Sequence, residues 1–142
     1  MTKPIWHQPI NLEQCNARGQ NTINEVLGIH ITEAGTDYIC ATMPVDHRTH
    51  QPLGLLHGGA SVVLAEGLAS LAGNLCVDQT KHYCVGLEIN ANHLRSVKTG
   101  TVTGRAEPVH LGRTTQVWNI TIVNDQQQQV CVSRLTLAVM SH

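Results

Sequence analysis

The sequence predicts an α+β domain in which one curved antiparallel sheet wraps round a single long helix. Three observations carry this prediction: a pair of strands comes first, one apolar helix follows, and four alternating segments complete the chain. Short, turn-rich links join the four final segments, and such links favour antiparallel neighbours. A length of 142 residues fits one domain, spanning residues 1–142.

The first third of the chain predicts two helical turns and a strand pair. Leu12–Arg18 and Thr22–Leu27 favour short helices, the second of which ends at Gly28. Apolar and polar residues then alternate over Gly28–Val45, interrupted by the turn signal Ala34–Asp37. We therefore expect two antiparallel strands in this stretch.

The most informative segment runs from about His57 to Cys76. It is apolar on nearly every side of a helical wheel, and Glu66 is its only fully charged residue. A helix that is apolar all round is normally buried. A carboxylate on such a helix is costly to desolvate unless something pairs with it or uses it. Glu66 is therefore a candidate reactive group.

After this helix the sequence changes to a period of two. Alternation of apolar and polar residues predicts four strands, at Tyr83–Leu94, Gly100–Val109, Thr114–Val123 and Gln129–Met140. One apolar helix and one such sheet predict that the sheet curves round the helix.

Composition excludes several classes of protein. Charged residues make up 13% and hydrophobic residues 42%, which is too apolar for disorder and poor in charge for a small monomer. We therefore expect an oligomer. A net charge of −1 argues against a nucleic-acid or membrane-surface partner. Five scattered cysteines and the absence of signal-peptide features in Met1–Ile10 predict reduced thiols in a cytoplasmic protein.

Four sequence blocks resemble a known family. His57-Gly58-Gly59 opens a helix with Glu66 nine residues after His57, within the stretch MPVDHRTHQPLGLLHGGAS, and the blocks VGLEINANHLR, HLGR and SRL follow in order. This order is similar to that of the hotdog-fold acyl-CoA thioesterases. The nearest branch includes 4-hydroxybenzoyl-CoA thioesterases, the 1,4-dihydroxy-2-naphthoyl-CoA hydrolase of menaquinone synthesis and the proofreading thioesterase of enterobactin synthesis. The resemblance implies the hotdog fold.

Hydrolysis of a thioester requires a polarised carbonyl and a nucleophile or activated water. The Gly58 amide, at the start of the helix, is suited to bind the oxyanion because the helix dipole favours negative charge there. Glu66 is suited to act as nucleophile or as general base. The resemblance implies that Glu66 faces a site completed by the His57 turn of another subunit. The alternative for Glu66 is a structural salt bridge, for example with Arg95.

Three further residues join the candidate catalytic set. Ser70 lies one turn after Glu66 on the same helix face, so that it can hold Glu66 or the attacking water, unless it is merely a small residue. Gln51 and His57 resemble family positions that contact the thioester region. Their alternative role is to brace the loop before the helix.

The phosphates of coenzyme A call for Arg, Lys or backbone donors. The resemblance implies that coenzyme A, the acyl carrier, lies against four places: a residue within a strand, the end of that strand, a turn, and an arginine in an apolar strand. These positions are Gly86; His93, Leu94, Arg95 and Ser96; His110, Leu111, Gly112, Arg113, Thr114 and Thr115; and Arg134. Leu94 and Ser96 depart from the His and Pro that are frequent in the family.

No cofactor is expected, since coenzyme A is part of the substrate and thiolate is already a good leaving group. The spacing of His47, His50 and His57 does not suit zinc. Cys76 and Cys84 lack an adjoining His and acid, which argues against a cysteine nucleophile.

The resemblance implies hydrolysis of an acyl-CoA thioester, with an aromatic or medium-chain acyl group, by a homotetramer built as a dimer of dimers. A role in menaquinone biosynthesis is one option within the branch. Two alternatives stay open: a hotdog hydratase or dehydratase, and a non-catalytic acyl-CoA-binding module, because fold alone does not fix function.

Overall fold

The computed structural model describes residues 2–142 as three helices and one six-stranded antiparallel sheet. The order of strands in the sheet is β1-β2-β4-β5-β6-β3, so that β1 and β3 are the two edges. The elements are α1 (Leu12–Ala17), α2 (Ile23–Leu27), β1 (His30–Ala34), β2 (Ile39–Pro44), α3 (Gly58–Leu75), β3 (His82–His93), β4 (Thr101–Leu111), β5 (Thr115–Val123) and β6 (Gln129–Ser141).

The short helices are fixed by their caps. The Asn11 side chain accepts a hydrogen bond from the Gln14 amide, and Thr22 caps α2 in the same manner. Gly28 ends α2 in the left-handed conformation, with φ of 72°, which glycine adopts at little cost. Both helical turns predicted from the sequence are confirmed.

Helix α3 packs across one face of the sheet, against strands β2 to β6. It begins and ends where the sequence predicts, with His57 as N-cap and Cys76 as C-cap. Only one side of it is buried. The half-buried side consists of Val62, Val63, Glu66, Gly67, Ser70, Leu71, Asn74 and Leu75. The apolar pattern all round the helix predicts complete burial, but the sheet of one chain covers only half of the helix. The half-buried side of the helix is therefore largely apolar but not covered by the sheet of the same chain.

The core lies between α3 and the central strands. Trp118 and Leu135 are fully buried, and so is the polar side chain of Gln116. Gln116 donates to the Gly73 carbonyl of α3 at 3.3 Å and accepts from the Trp118 indole at 2.9 Å. Its polar groups are thus satisfied, and the helix is fixed to β5. In β5 the alternate residues Gln116, Trp118, Ile120 and Ile122 are the buried ones.

A bulge in β3 changes which side chains face the helix. The pairing with β6 shifts register between Gly86 and Glu88, so that Leu87 is the extra residue. Before the bulge, Cys84 faces the helix and is buried; after it, Ile89 and Ala91 pack against the core. The bulge therefore allows both halves of the strand to contribute inward-facing residues.

Within residues 2–142, none of the helices is both long enough and apolar enough to cross a membrane.

Candidate active site

The first turn of α3 leaves one amide free. The Nδ1 atom of His57 accepts the Gly59 amide at 2.7 Å, and the His57 carbonyl accepts the amides of Ala60 and Ser61. Among residues 2–142 no acceptor lies in reach of the Gly58 amide, so it is available to an external oxygen. Because Nδ1 accepts, a neutral His57 ring carries its hydrogen on Nε2.

Gly58 is tightly packed against strand β3. A Cβ atom at this position would lie 2.8 Å from Nε2 of His93. A side chain at position 58 would therefore force the His93 ring to move away from the start of α3. The same absence of a side chain leaves the amide open to a ligand.

A pocket of about 380 Å³ lies in front of Gly58. It brings together several predicted residues, and its lining includes Gln51, Gly58, His93, Leu94, Arg95 and Ser96. The Gln51 side-chain carbonyl accepts the Leu53 amide, which holds the loop before the helix. The loop-bracing contacts expected of Gln51 and His57 are thus both present, and both residues also adjoin the free amide.

Glu66 lies at a different place on the same helix. Its carboxylate packs on Gly86 of β3, where a Cβ atom would lie 2.5 Å from Oε2. Within the described part of the chain, Glu66 makes no side-chain hydrogen bond or ion pair, so the alternative salt bridge with Arg95 is not formed. The carboxylate is half-buried and has no protein group to neutralise it.

One chain does not bring Gly58 and Glu66 together. They are eight positions apart on α3, which corresponds to about 12 Å along the helix axis. Glu66 does not line the pocket that contains Gly58. A single thioester carbonyl is therefore out of reach of both groups of the same chain.

Ser70 shares the half-buried stripe of α3 with Glu66, as the one-turn spacing predicts. Around these two residues the stripe is apolar, through Val63, Gly67 and Leu71. The surface beside the carboxylate is thus apolar.

The predicted carrier-binding residues lie in separate places. His110, Leu111, Gly112, Arg113, Thr114 and Thr115 form the β4–β5 hairpin, closed by a 2.9 Å bond from the Gly112 amide to the Thr115 carbonyl. Leu111 pairs with Gln116, Gln116 with Leu137, and Leu137 with Gly86, so the hairpin is at the Glu66 end of the sheet. The segment from His93 to Ser96 lies at the opposite end of β3.

Arg134 occupies the outer face of the sheet, near its middle. Its Nε atom donates to Asn119 at 2.9 Å, and a shallow groove beside it is lined by Asn90 and Asn92. Within one chain, Arg134 is thus separate from both the hairpin and the pocket.

The cysteines beside the helix end are poor nucleophiles. Burial raises the pKa of the Cys76 thiol to about 12, and burial also raises the pKa of Cys84. Both stay protonated at neutral pH, which agrees with the argument from sequence.

Asn74 is a residue that the sequence analysis missed. Its amide donates to the carbonyls of Ser70 (2.8 Å) and Cys84 (3.3 Å), and its oxygen accepts the Cys84 amide at 2.9 Å. An asparagine near a helix end gives no sequence signal for such a contact, because its partner is set by the tertiary fold.

Comparisons with known proteins agree with this architecture. A crystal structure of a mutant of thioesterase PA1618 from Pseudomonas aeruginosa superposes with a TM-score of 0.96, at 53% identity, over 97% of this chain and 99% of that chain. The 1,4-dihydroxy-2-naphthoyl-CoA hydrolase of Escherichia coli is 51% identical over 96% of this chain and 99% of its own length.

A third relative is the thioesterase SAV0944 of Staphylococcus aureus. A structure of its Glu-to-Ala mutant matches with a TM-score of 0.82 at 41% identity, over 84% of this chain and 99% of that chain. Another structure of SAV0944 carries a Gln-to-Ala mutation, and the two mutated residues are 15 positions apart in that protein.

The family model of the thioesterase superfamily matches residues 53–131, which contain the free Gly58 amide, Glu66 and most of the sheet. The match covers more than half of the chain, and the relatives cover nearly all of it. The chain belongs to the thioesterase superfamily, has the hotdog fold and is a thioester hydrolase.

Proposed function

We propose that the protein hydrolyses an aromatic or medium-chain acyl-CoA at sites formed between two copies of the chain. The Gly58 amide of one copy binds the thioester oxygen, and Glu66 of the other attacks the carbonyl or activates water. The observation that carries this proposal is the separation of about 12 Å between the two groups on one helix. Each group packs against a different end of the open stretch of β3.

The open edge of β3 is defined by its pairing with β6. The Leu94 amide donates to the Val130 carbonyl, so Asn92, Asn90 and Glu88 point their backbone groups toward β6. The backbone groups of the alternate residues point away from β6. Gly86, Ile89, Ala91 and His93 therefore present a row of hydrogen-bonding groups to a further strand.

A second copy of β3 matches this row when the two strands pair antiparallel about a two-fold axis at Asn90. Ile89 then lies opposite Ala91 of the second copy, and Gly86 lies opposite His93 of the second copy. Gly58 packs against His93, and Glu66 packs against Gly86. The pairing therefore brings the free Gly58 amide of one copy to the Glu66 carboxylate of the other. An isologous interface does this twice, which gives two sites per dimer.

The same pairing supports the carrier assignment. It moves the His93–Ser96 segment of the second copy toward the Glu66 end of the sheet, where the His110–Thr115 hairpin lies. Arg95 and Arg113, both exposed, then approach the same side of the site. Two guanidinium groups suit the phosphates of coenzyme A.

Two chemical routes fit the Glu66 carboxylate. In one, a carboxylate oxygen attacks the thioester carbon, the C–S bond breaks, and water hydrolyses the resulting anhydride. In the other, Glu66 takes a proton from water as the water oxygen attacks, and the proton passes to the departing thiolate. Both routes end in free acid and coenzyme A, and in both the Gly58 amide stabilises the oxyanion.

The acyl group is assigned from the surface beside Glu66 and from the relatives. The stripe of Val63, Gly67 and Leu71 is apolar and lacks charged residues other than Glu66. The Escherichia coli relative is named for an aromatic acyl group. These two observations support an aromatic or other apolar acyl group.

The position of Gln51 supports its place in the site. Gln51 and Glu66 are 15 positions apart, the spacing of the glutamine and glutamate that were mutated in SAV0944. Gln51 also lines the pocket in front of the Gly58 amide. We therefore include Gln51 with Glu66, Gly58, His57 and Ser70 in the catalytic set.

A tetramer built from two such dimers has support on the outer face of the sheet. Tyr83 pairs with Met140 and Val85 with Ala138 across β3 and β6, which forms an exposed apolar patch. Packing two outer faces together would cover it. The mass in solution, measured by light scattering, distinguishes a tetramer from a dimer.

The test of the proposed activity is the substitution Glu66→Gln, assayed by thiol release from benzoyl-, naphthoyl- and straight-chain acyl-CoA. We expect kcat to fall on the order of 10²- to 10⁴-fold, because the amide can neither attack nor accept a proton at neutral pH. Glu13→Gln, which changes an exposed glutamate on α1, is the matched control and should keep full activity. Full activity of Glu66→Gln would refute the assigned role, and water addition to an enoyl-CoA would favour a hydratase.

A further inference from the structure

The Asn74 side chain occupies the backbone hydrogen-bonding groups of one residue, Cys84, on the open edge of β3. Cys84 pairs with Val139, but the Val139 amide donates to Thr114 on the far side of β6. The amide and carbonyl of Cys84 therefore point to the open edge, where the Asn74 side chain binds both. The side-chain amide takes the place that a neighbouring strand would have.

The other edge of the sheet carries the same arrangement. Asn16 of α1 donates to the carbonyls of Leu12 (3.1 Å) and Ile31 (2.9 Å), and its oxygen accepts the Ile31 amide at 2.7 Å. Each asparagine thus binds the carbonyl four residues earlier in its helix and both backbone groups of one edge-strand residue. The same three hydrogen bonds thus occur at both edges of the sheet, which indicates that binding of an edge strand is a specific role of these asparagines.

We propose that Asn74 is a positioning residue, which fixes the register in which the β3 strands of two copies pair. This inference rests on the proposed two-copy site. With Cys84 occupied, the open row begins at Gly86, so that His93 of the second copy pairs there. Gly58 of that copy then meets Glu66.

Of the two neighbouring registers, Asn74 excludes the one that lengthens the pairing to Cys84. A slip of one residue would turn inward-facing side chains outward, so the nearest competitor slips by two. In it, His93 of the second copy lies opposite Cys84 and uses the backbone groups that Asn74 occupies. Two residues correspond to about 6.6 Å along a strand. The Gly58 amide would then be too far from the thioester attacked by Glu66.

The register can be measured without reference to activity. In the register proposed, the axis passes through Asn90, so two Asn90→Cys side chains face each other across a non-hydrogen-bonded pair with Cα atoms about 4.5 Å apart. This separation suits a disulfide, whereas the slipped register moves the two residues beyond about 7 Å, too far to bridge. Asn90 is exposed on the outer face.

The experiment compares Asn90→Cys alone and combined with Asn74→Ala, each treated with a mild oxidant and scored for covalent dimer on a non-reducing gel. We expect a high yield for Asn90→Cys and a yield at least fivefold lower in the double variant. The chain without Asn90→Cys is the blank for the five native cysteines, four of which are buried. Asn16→Ala with Asn90→Cys is the matched control, which should keep the yield.

Activity gives the second readout. Without Asn90→Cys, Asn74→Ala should lower kcat at least fivefold, in step with the cross-link, since a misplacement of about 1 Å can already cost roughly 10²-fold at each misaligned site. KM should stay within about twofold, and Asn16→Ala should change neither. If Asn74→Ala does not fold, Asn74→Asp, which keeps only the acceptor for the Cys84 amide, replaces it.

Equal cross-linking with and without Asn74→Ala would overturn the role of Asn74 and leave the two-copy site intact. No cross-link in Asn90→Cys alone would overturn the pairing register, and the role of Asn74 with it. Glu66→Gln tests the chemistry independently of both results. A monomeric Asn74→Ala protein would also overturn the inference, since it would make Asn74 a requirement for association.

Discussion

The two edges of the sheet use the same asparagine contact but differ in what they leave open. β1 has five residues, and Asn16 closes it at Ile31. β3 has twelve residues, and Asn74 closes it only at Cys84, which leaves the stretch from Gly86 to His93 uncovered. Exposed edges invite pairing, so natural proteins cover or shorten those that have no partner. This difference between the edges agrees with the proposed pairing of β3 with a second copy.

The edges also differ in the exposure of their apolar side chains, which is greater on β3. Leu87 at the β3 bulge is 62% exposed and Val85 is 41% exposed, whereas Ile31 of β1 is buried. An exposed leucine on an open strand is costly in an isolated chain but is stabilising once a partner covers it. β3 therefore combines unpaired backbone groups with exposed apolar side chains. In β1, Asn16 binds the backbone of Ile31, and the exposed side chains are the polar ones of His30, Thr32 and Glu33.

The largest effect should come from Ala91→Pro, which breaks the open edge. Proline removes the Ala91 amide, which points away from β6, so the chain itself should fold. We expect a monomer by light scattering and a loss of roughly 10²-fold in kcat/KM, because Gly58 and Glu66 no longer meet. Asn92→Pro removes an amide that faces β6 and should instead lower Tm. A fully active, oligomeric Ala91→Pro protein would show that the edge is not used.

A smaller effect should come from Leu87→Ser. Burial of a leucine side chain is worth about 1.5–3 kcal/mol. We therefore expect the dimer Kd to rise roughly tenfold or more. The Tm should change little at protein concentrations high enough to keep the dimer assembled. Val109→Ser is the matched control, since Val109 is the exposed extra residue of the β4 bulge on an interior strand. Sedimentation at a series of concentrations measures both, and equal Kd values would contradict the proposed interface.

Much of the fold follows from local sequence signals. Gly28 marked the end of the second short helix, and period-two alternation located all six strands. The bounds of α3 were predicted to within one residue at each end. Such features depend on neighbours along the chain, which a single sequence displays.

The bulges and the two asparagine contacts were not predicted. Leu87 and Val109 are ordinary strand residues, and whether an extra residue is accommodated depends on the partner strand. Asn16 binds the backbone of Ile31, 15 residues away, and Asn74 binds that of Cys84, 10 residues away. Both contacts depend on the tertiary fold, so no local sequence pattern predicts them. Glu66 was recognisable as an isolated acid on an apolar helix, but its contact with Gly86 depends on the tertiary packing.

The most direct test of the shared site is to mix two inactive variants. Glu66→Gln removes the carboxylate, and Gly58→Val blocks the amide, where even a Cβ atom would lie 2.8 Å from His93. After unfolding and refolding an equal mixture, half of the dimers are mixed, and each has one site with both native groups. We predict about a quarter of wild-type activity from this statistical exchange. A mixture no more active than either variant alone would contradict a site formed between copies.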